Sequence, residues 1–144
     1  MAGGKSNTHS QNWLKLVYQA VAWANMADNA ATSPFTNIYV ELSTGTLTAT
    51  SAQNTTEAAY TSYARVAVAR TTGGWGLSSQ TISNVAAITF PAATANWGTI
   101  THVAIFDAAT SGNMLMYSAL DSSVIINSSD TFEFAAGALN IQLG

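Results

Sequence analysis

Charge is the scarcest property of this chain. Its 144 residues include 4 basic and 7 acidic side chains, so that charged residues make up 8 % of the whole, against about 25 % in ordinary soluble domains. Surfaces with few charges repel their neighbours only weakly. The composition therefore favours a protein whose surface is largely covered by other subunits. A β-protein kept soluble by serine and threonine alone is the alternative.

Other absences exclude whole classes of function. The chain contains no cysteine, which removes disulfides and thiolate metal sites. The net charge is −3 and the basic residues form no run, whereas nucleic-acid binding needs clustered lysine and arginine. The sequence contains no run of about 18 consecutive apolar residues, so it predicts no transmembrane helix. We therefore expect neither a nucleic-acid partner nor a membrane partner.

Catalytic and metal-binding patterns are also missing. The two histidines, His9 and His102, are far apart, and the acidic residues are scattered along the chain. A zinc site needs three or four ligands held together, and no nucleophile, phosphate-loop or dinucleotide motif occurs. We expect no enzymatic activity, no metal and no cofactor. His102 is interpreted as a core or interface histidine, with a structural ligand role as the alternative.

Alternating apolar residues predict a mainly β fold. The segment 84–120 indicates three strands, at 85–90, 101–106 and 114–120, joined by small-residue turns. Further strands are indicated at 37–43, 63–70, 75–83, 124–126, 131–134 and 138–143. Residues 44–62 are rich in threonine, serine and alanine, and predict a long loop. Roughly eight strands at 8 to 12 residue spacing are typical of an antiparallel β-sandwich, here jelly-roll-like. Packing explains the four tryptophans better than a sugar-stacking platform does.

One helix is predicted before the strands. Residues 1–9 show no periodicity and predict a flexible N-terminal arm. Ser10 is a good N-cap, and helical spacing of apolar residues predicts a helix over about residues 10–27. The predicted organisation is an arm at 1–9 followed by a single domain at 10–144.

The predicted helix carries more apolar surface than one sheet face needs. A second apolar stripe lies beside the first and contains Trp13, Leu16, Ala20 and Trp23. These residues are the candidate oligomer interface, and a homotrimer is the expected assembly.

Several motifs occur over about residues 12–144, and each is weak by itself. They are the strand segment 38–45, Glu57 with the Tyr-x-Arg of 63–65, Phe90-Pro91, the segment 93–102, Phe106-Asp107-Ala108, the turn 111–113, the segment 115–117, the segment 127–134 and the segment 136–139. Together these motifs resemble a family of small tailed-phage virion proteins.

The resemblance implies a structural role in the virion. Such proteins are described as tail-fibre-like, and similar jelly-roll proteins act as capsid cement. The first expectation is a decoration (cement) protein on the capsid exterior that bridges subunits of the major capsid protein. A tail-fibre or baseplate module that meets the host surface is the first alternative, and a carbohydrate-binding domain is the second. The arm is the candidate capsid contact, through Gly3, Lys5, Asn7 and His9.

Overall fold

A computed structural model describes residues 6–24, 26–27, 34–49, 51 and 56–143 of the chain. It is mainly β, with antiparallel pairing and one helix near the N-terminus, so the predicted fold class is confirmed. The elements are α1 (Asn7–Gln19), β1 (Asn37–Ser43), β2 (Val66–Ala69), β3 (Trp75–Ser78), β4 (Thr81–Asn84), β5 (Ile88–Thr89), β6 (Gly98–Phe106), β7 (Met114–Ile126), β8 (Glu133–Phe134) and β9 (Asn140–Gln142).

The described residues form two compact units. The first contains Met1–Thr36, Ala69–Ile88 and Phe134–Gly144, and the second contains Asn37–Val68 and Thr89–Glu133. Three sheets have the strand orders β2-β1-β6-β7, β3-β4-β9 and β5-β8. The organisation predicted from the sequence, an arm followed by one domain, stays a prediction.

The second unit is built on the pairing of β1 with β6. These strands run antiparallel, with Glu41 opposite Ala104 and Ser43 opposite His102. Aromatic side chains fill the space beside the sheet: Trp97 is fully buried, and the rings of Tyr63 and Phe90 both pack edge-on against it. Such edge-to-face contacts add to the stabilisation that apolar burial provides.

The first unit packs α1 against β3. Leu14 and Tyr18 are fully buried, and the Tyr18 ring lies edge-on to Trp75 with 5.1 Å between centroids. Positions 10, 14 and 18 form the buried line of the helix, which is the i, i+4, i+8 spacing of a helical face. Trp75 and Trp97 are both fully buried, so packing accounts for them as the sequence indicated.

The bounds of α1 differ from the predicted ones at both ends. Ser6, not Ser10, is the N-cap, because its hydroxyl accepts the His9 backbone N–H at 3.2 Å. The helix ends at Gln19 because Ala20 adopts a left-handed conformation with φ of 54°. The predicted helix over 10–27 was therefore shifted at its start and too long at its end.

Arg70 closes the C-terminal end of α1. Its Nε donates to the carbonyl oxygen of Val17 at 2.6 Å, and its Nη2 donates to that of Leu16 at 2.8 Å. Its Nη1 donates to the carbonyl oxygen of Phe35 at 2.6 Å. A guanidinium can satisfy the carbonyl groups that a helix end leaves unpaired. A residue far away in the sequence thus satisfies carbonyl groups at the helix end, in addition to the left-handed cap at Ala20.

Two predicted strand boundaries are corrected. Residues 75–83 form a hairpin of β3 and β4 rather than one weak strand, with Ser79 at a positive φ of 54° in the turn. The predicted separate strands 114–120 and 124–126 are one strand, β7. A serine in left-handed conformation gives no strong sequence signal, which explains why the hairpin was not predicted.

Candidate functional site: the exposed strand β7 and the Arg65 cluster

Strand β7 is exposed on both faces, although it belongs to a sheet whose centre is buried. On β6, residues 103–106 are all buried. On β7, consecutive residues 117–119 and 121–125 are all exposed. Because neighbouring residues of a strand point to opposite faces, consecutive exposure means that neither face of β7 is covered in these stretches.

The outer edge of β7 is also open. The strand order places β7 at the end of its sheet, with β6 on one side and no strand paired on the other among the described residues. It carries exposed apolar side chains at Tyr117, Val124 and Ile125, the last 66 % exposed. Asp121 is the one charged residue of the strand, which contains no proline. Native proteins usually protect such edges with lysine, proline or short strands.

A wide bulge divides β7 into two paired segments. Ile100 pairs with Val124 and His102 pairs with Ala119, so that Thr101 alone faces residues 120–123. The extra residues include Asp121, in the position where the sequence had predicted a break between two strands. Bulges distort an edge locally and hinder pairing there. A second irregularity lies between Met114 and Met116, so segments 116–119 and 124–126 are the regular parts of the edge.

Arg65 fixes the loop that leads into β7. This residue is 7 % exposed, and its Nη1 donates to the carbonyl oxygens of Ala108 and Ser111 at 2.9 and 2.8 Å. Within the same loop, residues 107–113, the Asp107 carboxylate accepts the backbone N–H of Asn113 at 2.7 Å. The start of β7 is therefore anchored by a buried charge as well as by backbone pairing with β6.

The Arg65 cluster, defined as Glu41, Glu57 and Arg65, contains two carboxyl groups for one guanidinium. Glu57 binds Arg65 through both oxygens, at 2.9 and 2.8 Å. Glu41 Oε2 lies 2.8 Å from Arg65 Nη2, the nitrogen that already donates to Glu57. The guanidinium carbon lies 3.9 Å from the centre of the Phe106 ring. The cluster combines ion pairing with a cation–π contact.

Glu41 has the most strongly perturbed environment in the cluster. It is 1 % exposed, and its Oε2 accepts no hydrogen bond within the described part of the chain, although Arg65 lies close by. Burial, followed by the neighbouring charge of Glu57, raises the pKa of Glu41 to about 7, against the opposing effect of Arg65. Desolvation disfavours the charged form of a carboxyl group.

A small open pocket lies beside the cluster. It has a volume of about 300 Å³ and is lined by Glu57, Ala58, Ala59, Tyr63, Ala109 and Thr110. Glu57 is engaged by Arg65, and the Tyr63 hydroxyl accepts the Leu42 backbone N–H at 3.0 Å. With these two polar groups occupied and three alanines in the wall, the pocket offers little for recognising a polar ligand.

Comparison with known proteins identifies the family. Residues 4–142 match the family model described as Podophage GP4 fiber I protein gp80. The chain belongs to this phage fibre family. The resemblance to tail-fibre-like virion proteins is therefore confirmed, and the fibre-family chain is a virion structural protein. No curated protein matches it.

The predicted interface stripe does not form one helical stripe in this fibre-family chain. Trp13 and Leu16 lie on α1 and are half-buried, whereas Ala20 is the helix C-cap. Trp23 lies beyond the helix and forms an isolated bridge with Ala27. The helix ends too early to align the four residues, although their role in assembly stays a prediction.

The predicted arm is only partly described. Gly3 and Lys5 lie outside the described residues. Asn7 and His9 belong to α1, where Asn7 accepts a hydrogen bond from the side chain of Gln80 and His9 packs edge-on against Trp23. These two residues are thus held within the first unit. A capsid contact through the arm stays a prediction.

The described residues include neither a cluster of metal ligands nor a helix suited to span a membrane. Within these ranges no three histidine, cysteine, aspartate or glutamate side chains group closely enough to hold a metal ion. No helix in the same part of the chain is long and apolar enough to cross a membrane. His102 is half-buried on β6, and its Nδ1 lies 2.9 Å from the Thr101 hydroxyl.

Sequence reasoning missed both the Arg65 cluster and the exposure of β7. A signal for the cluster was present, because Glu41 interrupts the run of large apolar and aromatic residues at 38–42 in a chain that has few charges. A charged residue at such a position predicts a buried partner of opposite sign. Nothing in the local pattern of 114–126 indicates that its apolar residues are uncovered, since exposure depends on the neighbouring strands.

Proposed function

We propose that this chain is a structural subunit of a phage tail fibre that assembles with copies of itself and has no enzymatic activity. The observation that carries the proposal is the family match over residues 4–142, whose description names a fibre protein. The capsid decoration role, which the sequence put first, becomes the second candidate. Its support is the scarcity of surface charge, which suits any densely packed virion surface.

Strand β7 is the proposed assembly surface. Its uncovered edge offers backbone donors and acceptors to a further strand, and backbone pairing gives affinity without special side chains. Val124 and Ile125 would add apolar contact area at the same edge. A second copy is the proposed partner because an antiparallel edge can pair with its own symmetry mate, as an isologous interface requires.

Charge does not oppose this pairing. In the regular segments 116–119 and 124–126 no residue is charged, so copies can approach without like charges facing each other. The predicted homotrimer is the alternative symmetry. It would need a heterologous contact, in which the edge of β7 meets a different surface of the next copy.

Substitutions at matched valines test the surface. Light scattering of the full chain should give an oligomer, and Val124→Lys should shift it to smaller species because a lysine at an edge hinders strand addition. Val85→Lys is the control, since Val85 is 48 % exposed and belongs to the first unit, whereas β7 belongs to the second. Equal effects of the two changes would contradict the proposal.

A helix variant separates the two candidate interfaces. Leu16→Asp should leave the oligomer intact if β7 is the interface, provided that circular dichroism shows a folded chain. Loss of the oligomer in folded Leu16→Asp, with no effect of Val124→Lys, would instead favour the helix stripe.

The place in the virion is tested by counting copies. Quantitative mass spectrometry of purified virions should find a small number of copies per particle for a tail fibre, whereas hundreds indicate a capsid decoration protein. Antibody labelling seen by electron microscopy should mark the tail. Labelling spread over the head would overturn the tail assignment while leaving membership of the fibre family unaffected.

A further inference from the structure

The Arg65 cluster has more acidic groups than its hydrogen bonds satisfy. One nitrogen, Arg65 Nη2, lies 2.8 Å from both Glu57 Oε2 and Glu41 Oε2. Glu57 receives two donated hydrogen bonds from Arg65, whereas Glu41 Oε2 receives none within the described ranges. Glu41 therefore depends on an ion pair with a nitrogen that already donates to Glu57, and a buried carboxylate that is incompletely hydrogen-bonded is costly.

The other side of Glu41 is apolar. Its partner on β6 is Ala104, which clusters with Leu47 and Phe106, and Met114 packs against this group. Phe106 also lies beneath the guanidinium of Arg65. Such surroundings favour a neutral form of Glu41, because an added proton would provide an O–H that can donate towards Glu57.

We propose that Glu41 carries a proton shared with Glu57, and that opening of the loop at residues 107–113 releases this proton. Arg65 connects the two events, because the guanidinium that pairs with both carboxyl groups also holds the carbonyl oxygens of Ala108 and Ser111. When the loop opens and the cluster is hydrated, Glu41 ionises as an ordinary carboxyl group does. Higher pH therefore favours the open loop. The Arg65 cluster thus holds the loop before β7 closed in a pH-dependent way.

The ionisable neighbours of Glu41 come from each element around it. Glu57 and Tyr63 lie on the segment between β1 and β2, and Arg65 directly precedes β2. His102 lies on β6, opposite Ser43 and two positions from the partner of Glu41. Histidine side chains as a class change charge between pH 5 and 8. An experiment must therefore distinguish an effect of Glu41 on the loop from an effect of His102.

Carbon-13 NMR of the full chain can observe the proton directly. Glu41, Glu57 and Glu133 are the chain's three glutamates, so labelled glutamate gives three carboxyl signals, and Glu41→Gln assigns one of them. We expect the Glu41 signal to titrate near neutral pH, in agreement with the raised pKa of about 7. Complete ionisation of Glu41 at pH 5 would overturn the proposal.

Hydrogen exchange tests the coupling to the loop. After correction for intrinsic exchange, protection of amides in residues 107–113 should fall by up to about tenfold per pH unit between about pH 5 and 7, and then level off. Glu41→Gln should remove this dependence, whereas His102→Asn should keep it. Amides of α1, in the first unit, serve as the internal reference and should not follow the same curve.

Three outcomes would overturn the proposed coupling between the protonation of Glu41 and the opening of the loop. Loop protection could be independent of pH although Glu41 titrates, it could keep its pH dependence in Glu41→Gln, or it could lose that dependence in His102→Asn. None of these readouts involves assembly, so the result stands apart from the proposed role of β7.

Discussion

The two arginines of this chain are stabilised in opposite ways. Arg65 lies between Glu41 and Glu57, and hydrogen bonding and attraction from Glu57 raise its pKa against the lowering effect of burial. Arg70 instead donates to the carbonyl oxygens of Leu16, Val17 and Phe35, and burial lowers its pKa. Carbonyl groups cannot be protonated at these pH values, whereas carboxyl groups can. The contacts of Arg65 with carboxyl groups therefore depend on pH, whereas the contacts of Arg70 with carbonyl groups do not.

Replacing Arg65 should have the largest effect on stability. Arg65→Met leaves the buried carboxyl group of Glu41 and the partly buried one of Glu57 without a cation. Removing one partner of a buried ion pair costs about 3–5 kcal/mol. Urea unfolding at pH 7 measures the change. Arg65→Lys keeps the charge but cannot reproduce the two-oxygen contact with Glu57, and we expect an intermediate loss. A smaller cost for Arg65→Met than for Arg70→Met would contradict the comparison.

Replacing Arg70 should cost less and act locally. Arg70→Met removes three hydrogen bonds to carbonyl groups near the end of α1. A hydrogen bond from a charged donor contributes about 1.5–3 kcal/mol, and less where water can replace the donor. We expect a total loss of about 1–3 kcal/mol. Hydrogen exchange should show faster exchange in the last turn of α1. Unchanged exchange there would mean that Ala20 and its backbone hydrogen bonds suffice to end the helix.

The next largest expected difference between the surroundings of Arg65 and those of Arg70 is the pH dependence of stability. Because burial raises the pKa of Glu41 in the folded chain to about 7 from its ordinary value of 4.5, the folded state binds more protons between these values. The free energy of unfolding therefore falls as pH rises from about 4.5 to 7 and changes little from this source above that. Glu41→Gln should flatten this part of the curve, whereas Arg70→Met should keep it. Denaturant melts at a series of pH values provide the measurement.

The smallest expected effect concerns the other end of the helix that Arg70 caps. Ser6→Ala should destabilise the chain by about 1 kcal/mol, because the N-cap hydroxyl is lost. Ser10 is fully buried, and its hydroxyl oxygen has no hydrogen-bond partner within the described ranges, so Ser10→Ala should be neutral or slightly stabilising. Thermal melts of the pair decide between the two caps. A reversed order would favour the cap that the sequence alone indicated.

Several features could be predicted from the sequence because they depend on neighbouring residues. Period-2 alternation predicted β1 and β6 closely, since a strand with a buried face must alternate or be apolar throughout. The motif pattern over about 12–144 predicted the phage virion family, which the match over 4–142 bears out. The scarcity of charge predicted a surface covered by other subunits, which stays a prediction.

Contacts between distant segments decided the rest. Arg70 reaches carbonyl groups at positions 16 and 17, so the early end of α1 could not be read from the apolar pattern that extends beyond it. Glu41, Glu57 and Arg65 meet only when β1 and the segment before β2 come together, because side chains with charge need a partner once they are buried. Whether the apolar residues of β7 are covered depends on the position of the strand in its sheet, and a free edge leaves them exposed. Local sequence thus determined the strands and the family, whereas tertiary contacts determined the helix end, the buried charges and the open edge.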